Sequence, residues 1–182
     1  MASYKIIIVG AGIGGLSAAA CLIRAGHDVV VYEQAPVLAE VGAGIQLSAN
    51  PMHVMNDLGI GQKIWDAGVR PGAYVFRLHD TGEEIQRFSL AKEHLQQHGA
   101  PYNQIHRADL HEILVDKVRE LRADAIHVNH RVVRFEESDN GVEVEFADAK
   151  RARCDLLIGA DGLKSVVRRQ MFGDVPATYT GD

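Results

Sequence analysis

Lys5-Ile6-Ile7-Ile8-Val9-Gly10-Ala11-Gly12-Ile13-Gly14-Gly15 is the stretch that decides the fold. Lys5–Val9 is a short apolar run rich in branched residues, the pattern of a parallel strand buried on both faces. The glycines that follow have the spacing Gly-x-Gly-x-x-Gly, and an Ala- and Leu-rich segment comes next. In such a strand-turn-helix, Gly10 permits the tight turn and Gly12 lets the backbone approach a pyrophosphate. Gly15 permits close packing of helix on strand. The helix start then offers unpaired N–H groups and a positive dipole end to phosphate.

Working outward, the helix is predicted from Gly14 to about Ala25, with Gly26 as its stop. Asp28–Glu33 reads as the second strand, completing a βαβ unit. Glu33 stands 23 positions after Gly10, at the strand end where a carboxylate can accept hydrogen bonds from ribose hydroxyls. Ile6 to Ile23 carries no charged residue. The glycines at 10, 12, 14 and 15 break the run, so it reads as strand-turn-helix rather than a membrane span.

The remaining elements follow from pattern. Ala35–Leu47 reads as a loop containing Gly42-Ala43-Gly44. A helix is predicted from an Asn50 cap and Pro51 to Leu58-Gly59, with a short one over Gln62–Ala67. Tyr74–His79 and Glu84–Ser89 read as a hairpin around Asp80-Thr81-Gly82. Leu90–Gly99 is polar and receives no assignment. Arg107–Leu121 is an amphipathic helix with Leu110, Ile113, Leu114, Val118 and Leu121 on one face. Ile126–Asn129, Val132–Glu137 and Val142–Phe146 read as strands, the last two joined by Asp139-Asn140-Gly141. Asp155–Ile158 reads as a final buried strand, with Cys154 at its start. Ser165 opens a short helix to about Met171. Tyr4, Trp65 and Phe88 read as packing residues.

Two further places carry chemistry. Gly159-Ala160-Asp161-Gly162 follows a strand, which puts Asp161 at a strand's carboxyl end, where open α/β sheets bind ligands. Its carboxylate suits ribityl or ribose hydroxyls, or an Asx-type turn. Gly162 leaves room for a cofactor chain. Ser165 and Arg168 are spaced to cap the next helix and pair with Asp161. Arg107 sits at a helix start, where the dipole disfavours a cation. Either a cofactor contact or a structural ion pair compensates it.

The bulk numbers narrow the class. Hydrophobic residues make up 47% and charged residues 24%, a soluble globular balance. A net charge of -5 gives no basic footprint for nucleic acid, and no membrane partner is expected. Cys21 and Cys154 belong to no C-x-x-C motif, which points to a reduced, cytoplasmic setting. His94 and His98, and His127 and His130, lack carboxylate or cysteine partners at ligand spacing, so no metal is expected. Arg131–Glu145 reads as a solvated hairpin face. No nucleophile elbow is present.

The combination Gly10–Gly15, Glu33, Gly42-Ala43-Gly44, His106-Arg107-Ala108-Asp109-Leu110 and Gly159–Gly162 resembles the FAD-dependent aromatic hydroxylases. These are single-component flavoprotein monooxygenases of the para-hydroxybenzoate hydroxylase type. The likeness is nearest the salicylate, 3-hydroxybenzoate and 6-hydroxynicotinate branch and runs from about residue 4 to about 172. It implies an α/β, Rossmann-like FAD-binding domain with a central, mostly parallel sheet. An antiparallel β-meander and the start of a substrate-domain hairpin are added to it. Residues 1–182 form that domain, 73–100 contribute to the substrate region, and the main substrate domain lies beyond Asp182.

By the resemblance, Gly12, Gly14 and Gly15 face the FAD pyrophosphate, with Gly10 shaping the turn, and Glu33 holds the adenosine ribose. Arg107 contacts the cofactor from its helix start, and Asp161 and Gly162 serve FAD. The loop with Gly44 and Gln46 runs past the flavin, and Val133 neighbours the adenine. No residue here is assigned as the chemical base. Gln46 stands where the 6-hydroxynicotinate enzymes have histidine, which favours hydroxybenzoate-like acids. Gln34 stands where a basic residue often follows the ribose acid. The implied activity is hydroxylation of a small aromatic acid with NADH or NADPH and O2, and a homodimer is the expected assembly. The isolated chain is expected to be inactive. The alternatives are a non-catalytic flavin-binding fragment and an NAD-binding dehydrogenase domain, although the latter accounts for neither Asp161-Gly162 nor Arg107.

Overall fold

The computed structural model describes residues 2–39, 42–175 and 178–181. The chain opens with β1 (Lys5–Val9), α1 (Ile13–Arg24), β2 (Asp28–Tyr32), β3 (Gly44–Leu47), α2 (Ala49–Asp57) and α3 (Gly61–Ala67). It continues through β4 (Ala73–Arg77), β5 (Glu84–Ser89), α4 (Lys92–His98), β6 (Asn103–His106) and α5 (Arg107–Leu121). The last elements are β7 (Ile126–His127), β8 (Val132–Ser138), β9 (Gly141–Phe146), β10 (Arg151–Cys154), β11 (Leu156–Gly159) and α6 (Val166–Phe172). The chain divides into two compact units, Met1–Ala39 with Leu114–Asp182, and Glu40–Ile113. No helix among the described residues is long and apolar enough to cross a membrane.

The first unit is built on a sheet of order β11-β1-β2-β7, in which every pairing is parallel. Successive side chains of β1 alternate between faces. Ile7 and Val9 join Val132, Val144, Phe146, Cys154 and Val167 in one buried cluster. Ile6 and Ile8 are buried on the other face. α1 buries Gly15, Leu16, Ala19 and Ala20, a mostly small-residue stripe that suits close packing. It ends at Gly26, which takes the left-handed φ of 91° and donates its N–H to the Ile23 carbonyl.

The antiparallel sheet has order β10-β9-β8. Its ends carry cross-strand pairs such as Arg134–Glu145 at 3.0 Å and Arg153–Glu143 at 2.7 Å. These exposed pairs contribute little each and fit the expected solvated face. Two expectations need correction here. Cys154 ends β10 rather than starting a strand. The apolar strand after it, β11, lies at the edge of its sheet, and Leu156 is 48% exposed. Apolar composition suggested burial, but a sheet-edge strand has only one strand neighbour.

In the second unit β3 pairs antiparallel with β6, in register from Gly44↔His106 to Leu47↔Asn103. The segment read as a loop over 35–47 therefore contains a strand, while residues 40 and 41 lie outside the described residues. α2 is capped at Ser48, not Asn50, with Pro51 inside its first turn. Leu90–Gly99, left unassigned from sequence, contains α4, closed by Gly99 at φ 71°. Its Lys, Glu, Leu and Gln residues are good helix formers, but no residue of it is buried, so no apolar period announced it.

β4 and β5 form the expected hairpin. Phe88 and Tyr4, however, are exposed rather than packed. Phe88 meets the edge of another exposed ring, Phe76, at 6.1 Å. Trp65 is half-buried, with the Arg70 guanidinium 4.6 Å from its ring centre. Ile8 is fully buried, and Ile85 on β5 is 63% exposed. Ile8→Ala is expected to cost about 2–5 kcal/mol in urea unfolding. Ile85→Ala is expected to stay within about 0.5 kcal/mol of the parent.

Candidate functional site: two glycine turns at the ends of adjacent strands

β1 and β11 are neighbours, with Val9 opposite Gly159. Their carboxyl ends therefore lie side by side, and each runs into a glycine turn. The Ala160 N–H donates to the Val9 carbonyl at 2.8 Å. Gly10 has φ 104°, and a Cβ there would collide with the Ala160 carbonyl oxygen. A Cβ on Gly15 would collide with the Gly10 carbonyl oxygen. Gly159 lies against Val167 of α6, where an added Cβ would sit 2.8 Å from the Val167 Cβ.

The other glycines behave differently. Gly12, Gly14 and Gly162 have no atom within 4 Å of where a Cβ would stand. Gly12 is the N-cap of α1 and has no side chain to cap with. The unpaired N–H groups of the first helical turn are therefore not satisfied by a capping side chain. The two turns combine packed glycines, which fix the backbone, with open ones, which let another molecule approach it. Gly10 and Gly15 are packed as a tight turn and a close helix–strand approach require. Packed as it is on the Gly10 carbonyl, Gly15 shapes the turn.

Glu33 follows β2 directly, and its two carboxylate oxygens accept from backbone. The Ala11 N–H donates to Oε2 and the Ala35 N–H to Oε1, both at 2.8 Å. The acid thus braces the glycine turn from the neighbouring strand. A carboxylate has about four lone-pair sites, so two bonds leave capacity for hydroxyl donors. Gln34 beside it is exposed.

Asp161 turns its carboxylate to the start of α6. Oδ1 accepts from the Ser165 hydroxyl at 2.5 Å. Oδ2 accepts from the amides of Val166 at 2.6 Å and Val167 at 3.3 Å. Ser165 is the N-cap, and its Oγ accepts the Arg168 N–H at 2.9 Å. The Asx-type role and the Ser165 cap are both present. Arg168 enters through its backbone only, because the hydrogen bonds of Asp161 go to α6 and its side chain is exposed. Gly162 follows at φ 74°.

Val133 is the extra residue where the register of β8 shifts between Val132 and Arg134, and it is 40% exposed. Tyr32, just before Glu33, packs among His127, His130 and Phe146, with ring centres 4.6–5.4 Å away. Burial, then the nearby Cys154, raises the Tyr32 phenol. These histidines pack against rings, and among the described residues no group of three His, Cys, Asp or Glu is placed to hold a metal ion.

Within the second unit the remaining candidates also meet. The Arg107 N–H donates to the Ala43 carbonyl at 3.1 Å. Its stem crosses Gly42, where a Cβ would lie 2.9 Å from the Arg107 Cδ. Gly44 and Gln46 lie on the exposed side of β3, opposite His106 and Gln104. The Gly42-Ala43-Gly44 and His106–Leu110 segments, 60 or so positions apart, are thus joined by the β3–β6 ladder.

Sequence reasoning missed a polar cluster here. The Tyr74 and Tyr102 hydroxyls share a short hydrogen bond. His94 packs its ring against Tyr102 at 5.8 Å and against His98 at 4.6 Å. Burial, then His98, lowers the His94 imidazole. Burial, then the bond to Tyr74, pushes Tyr102 up to about 12. The isolated tyrosines carried no spacing signal.

A match to the FAD binding domain family covers residues 3–180. The chain belongs to that family. It is 43% identical over 177 residues to 3-amino-4-hydroxybenzoate 2-monooxygenase of Streptomyces cremeus, covering 97% of this chain and 44% of that protein. It is 41% identical to 3-hydroxybenzoate 6-hydroxylase 1 of Aquipseudomonas alcaligenes, covering 97% of this chain and 45% of the relative. Among solved structures it resembles Klebsiella pneumoniae HpxO complexed with FAD and uric acid. There the TM-score is 0.81 at 36% identity, over 95% of this chain and 43% of that one. The FAD binding domain therefore spans less than half the length of these relatives.

The family match bears out the α/β FAD-domain reading and sets aside the NAD-binding dehydrogenase. Two measurements check the local geometry of the FAD binding domain. Ser165→Ala is expected to cost about 0.5–2 kcal/mol of stability in chemical unfolding, through loss of the α6 cap. Tyr102 has a folded-state value raised above the ordinary 10.0. Its contribution to stability is therefore full below pH 10 and is lost as pH rises from there towards about 12. Tyr102→Phe is expected to unfold with a shallower alkaline dependence than the parent.

Proposed function

We propose that this chain is the FAD-holding part of a flavin-dependent monooxygenase that hydroxylates a hydroxybenzoate-like aromatic acid with NAD(P)H and O2. One observation carries the reading. Two glycine turns open side by side at the carboxyl ends of the parallel strands β1 and β11, with an acid beside each. A nucleotide carrying a second hydroxylated chain matches both halves of that arrangement. The chain's similarity to hydroxybenzoate hydroxylases supports the substrate class, as does Gln46 in place of histidine.

When bound, FAD supplies the redox chemistry that joins NAD(P)H oxidation to transfer of one oxygen atom to the ring. The residues of this chain bind and orient. Gly12 and Gly14 leave the α1 amides open to the pyrophosphate, while Gly10 and Gly15 hold the turn that presents them. Glu33 takes the adenosine ribose hydroxyls on its free lone pairs, and Val133 neighbours the adenine. Asp161 takes ribityl hydroxyls, and Gly162 gives the cofactor chain room. Arg107 contacts the cofactor from the α5 start, and Gly44 and Gln46 run past the flavin.

Residues 73–100 contribute to the substrate region, which includes Tyr74. The turnover itself is assigned to a protein of the relatives' length. The proposed setting is cytoplasmic, supported by two cysteines that belong to no C-x-x-C motif, and the proposed assembly is a homodimer.

Titrating the chain with FAD and following flavin fluorescence tests the reading. Asp161→Ala is expected to weaken binding roughly tenfold to a hundredfold, the worth of a hydrogen bond to a charged group. His79→Ala, at an exposed hairpin position, is expected to leave it unchanged. Equal affinities for the two variants would remove Asp161 from the cofactor site.

A further inference from the structure

β8 is the outer strand of its sheet, and an outer strand leaves main-chain groups in need of partners. At Phe135 those partners come from a side chain. The Gln170 Oε1 accepts the Phe135 N–H at 3.1 Å, and its Nε2 donates to the Phe135 carbonyl at 2.5 Å. One carboxamide thus does for Phe135 what a strand neighbour would do. Gln170 belongs to α6, the helix whose first amides hold the carboxylate of Asp161. Val167, three positions earlier and so on the same face, is buried against Gly159.

α6 is therefore pinned along its length. Its first turn is tied to Asp161 and wedged onto β11 through Val167, and its last turn is clasped to β8 through Gln170. It is only two turns long, so displacement at the clasp is transmitted to the Val166 and Val167 amides. Val133, the extra residue at the β8 register shift, is two positions from the clasped Phe135.

We propose that Gln170 is a positioning residue of the FAD site: it clasps α6 to β8 so that the α6 amides hold the Asp161 carboxylate in one orientation. The proposal rests on the reading of Asp161 as a cofactor contact. Gln170 does not touch the cofactor. It acts through α6.

A double-mutant cycle on FAD affinity tests it, with amide exchange measured on the FAD-free chain. Gln170→Met keeps the length of the side chain and removes both hydrogen bonds. It is expected to weaken FAD binding about 2- to 30-fold, the range for coupling through a packed element. It is also expected to speed exchange of the Val166 and Val167 amides. In an Asp161→Ala background the same change is expected to alter affinity less than about twofold, because the group being positioned is gone. Met171→Ala, on the exposed side of α6, is the control with unchanged affinity.

Equal loss in both backgrounds, or unchanged amide protection, would overturn the proposal while leaving the FAD reading intact. An Asp161→Ala single variant with parental affinity would overturn the FAD reading itself, and the proposal with it. If Gln170→Met does not fold, Gln170→Glu replaces it in the cycle. That variant keeps an acceptor for the Phe135 N–H and loses the donor to its carbonyl. Failure of both to fold would assign Gln170 to the fold alone and overturn the positioning role.

Discussion

The Ala160 amide reaches the Val9 carbonyl at 2.8 Å, across 151 positions of sequence. Around that bond two backbones approach so closely that Gly10 has no room for a side chain. This approach fixes the rest of the first unit. It sets β11 beside β1 in parallel register, and parallel register puts both carboxyl ends at the same edge. Both turns must then emerge there together. A one-residue slip would turn the faces of β11 over and carry the Ala160 amide away from the Val9 carbonyl it now meets.

The acids of the site are held by backbone before any ligand arrives. Glu33 binds the amides of Ala11 and Ala35, and Asp161 binds those of Val166 and Val167. Each carboxylate thus serves two ends: it satisfies N–H groups at a turn or helix start, and it keeps lone pairs directed outward. Holding a side chain this way lowers the entropy that a ligand would otherwise have to remove. It also explains why a capping reading and a binding reading of Asp161 both fit one sequence. The cap holds the carboxylate in one orientation, and in the proposed function that same carboxylate takes ribityl hydroxyls.

Legibility followed the range of the interactions. α5 was readable to its end residues because Leu110, Leu114 and Val118, spaced four apart, are all fully buried. The β1-turn-α1 unit was readable because each glycine answers a local steric demand. β3, β6 and β10 are four residues each, too short for their alternating burial to register as a period in the sequence. The Gln170 clasp left no trace in the sequence, since its partner, the backbone of Phe135, lies 35 positions away. Tyr4 and Phe88 misled for the opposite reason, because aromatic character suggested burial that the fold does not supply.

By itself the sequence determined the elements whose cause is local: the glycine turn and its helix, the acid ending β2, the hairpins at Gly82 and Gly141, and the long amphipathic helix. It also carried a resemblance to the FAD-dependent aromatic hydroxylases, because Asp161-Gly162 and Arg107 accompany the opening fingerprint, and the family match shows the FAD binding domain. Tertiary structure alone decided which of those glycines are packed and which are open, since a Cβ clash depends on what lies opposite. It decided that Asp161 is held by the Ser165 hydroxyl and the Val166 and Val167 amides rather than by the Arg168 side chain, and that Arg107 lies over Gly42. It also brought Gln170 to the free edge of β8. In each case the partner is distant in the chain or set by the approach of a second backbone, and residue identity does not encode that approach.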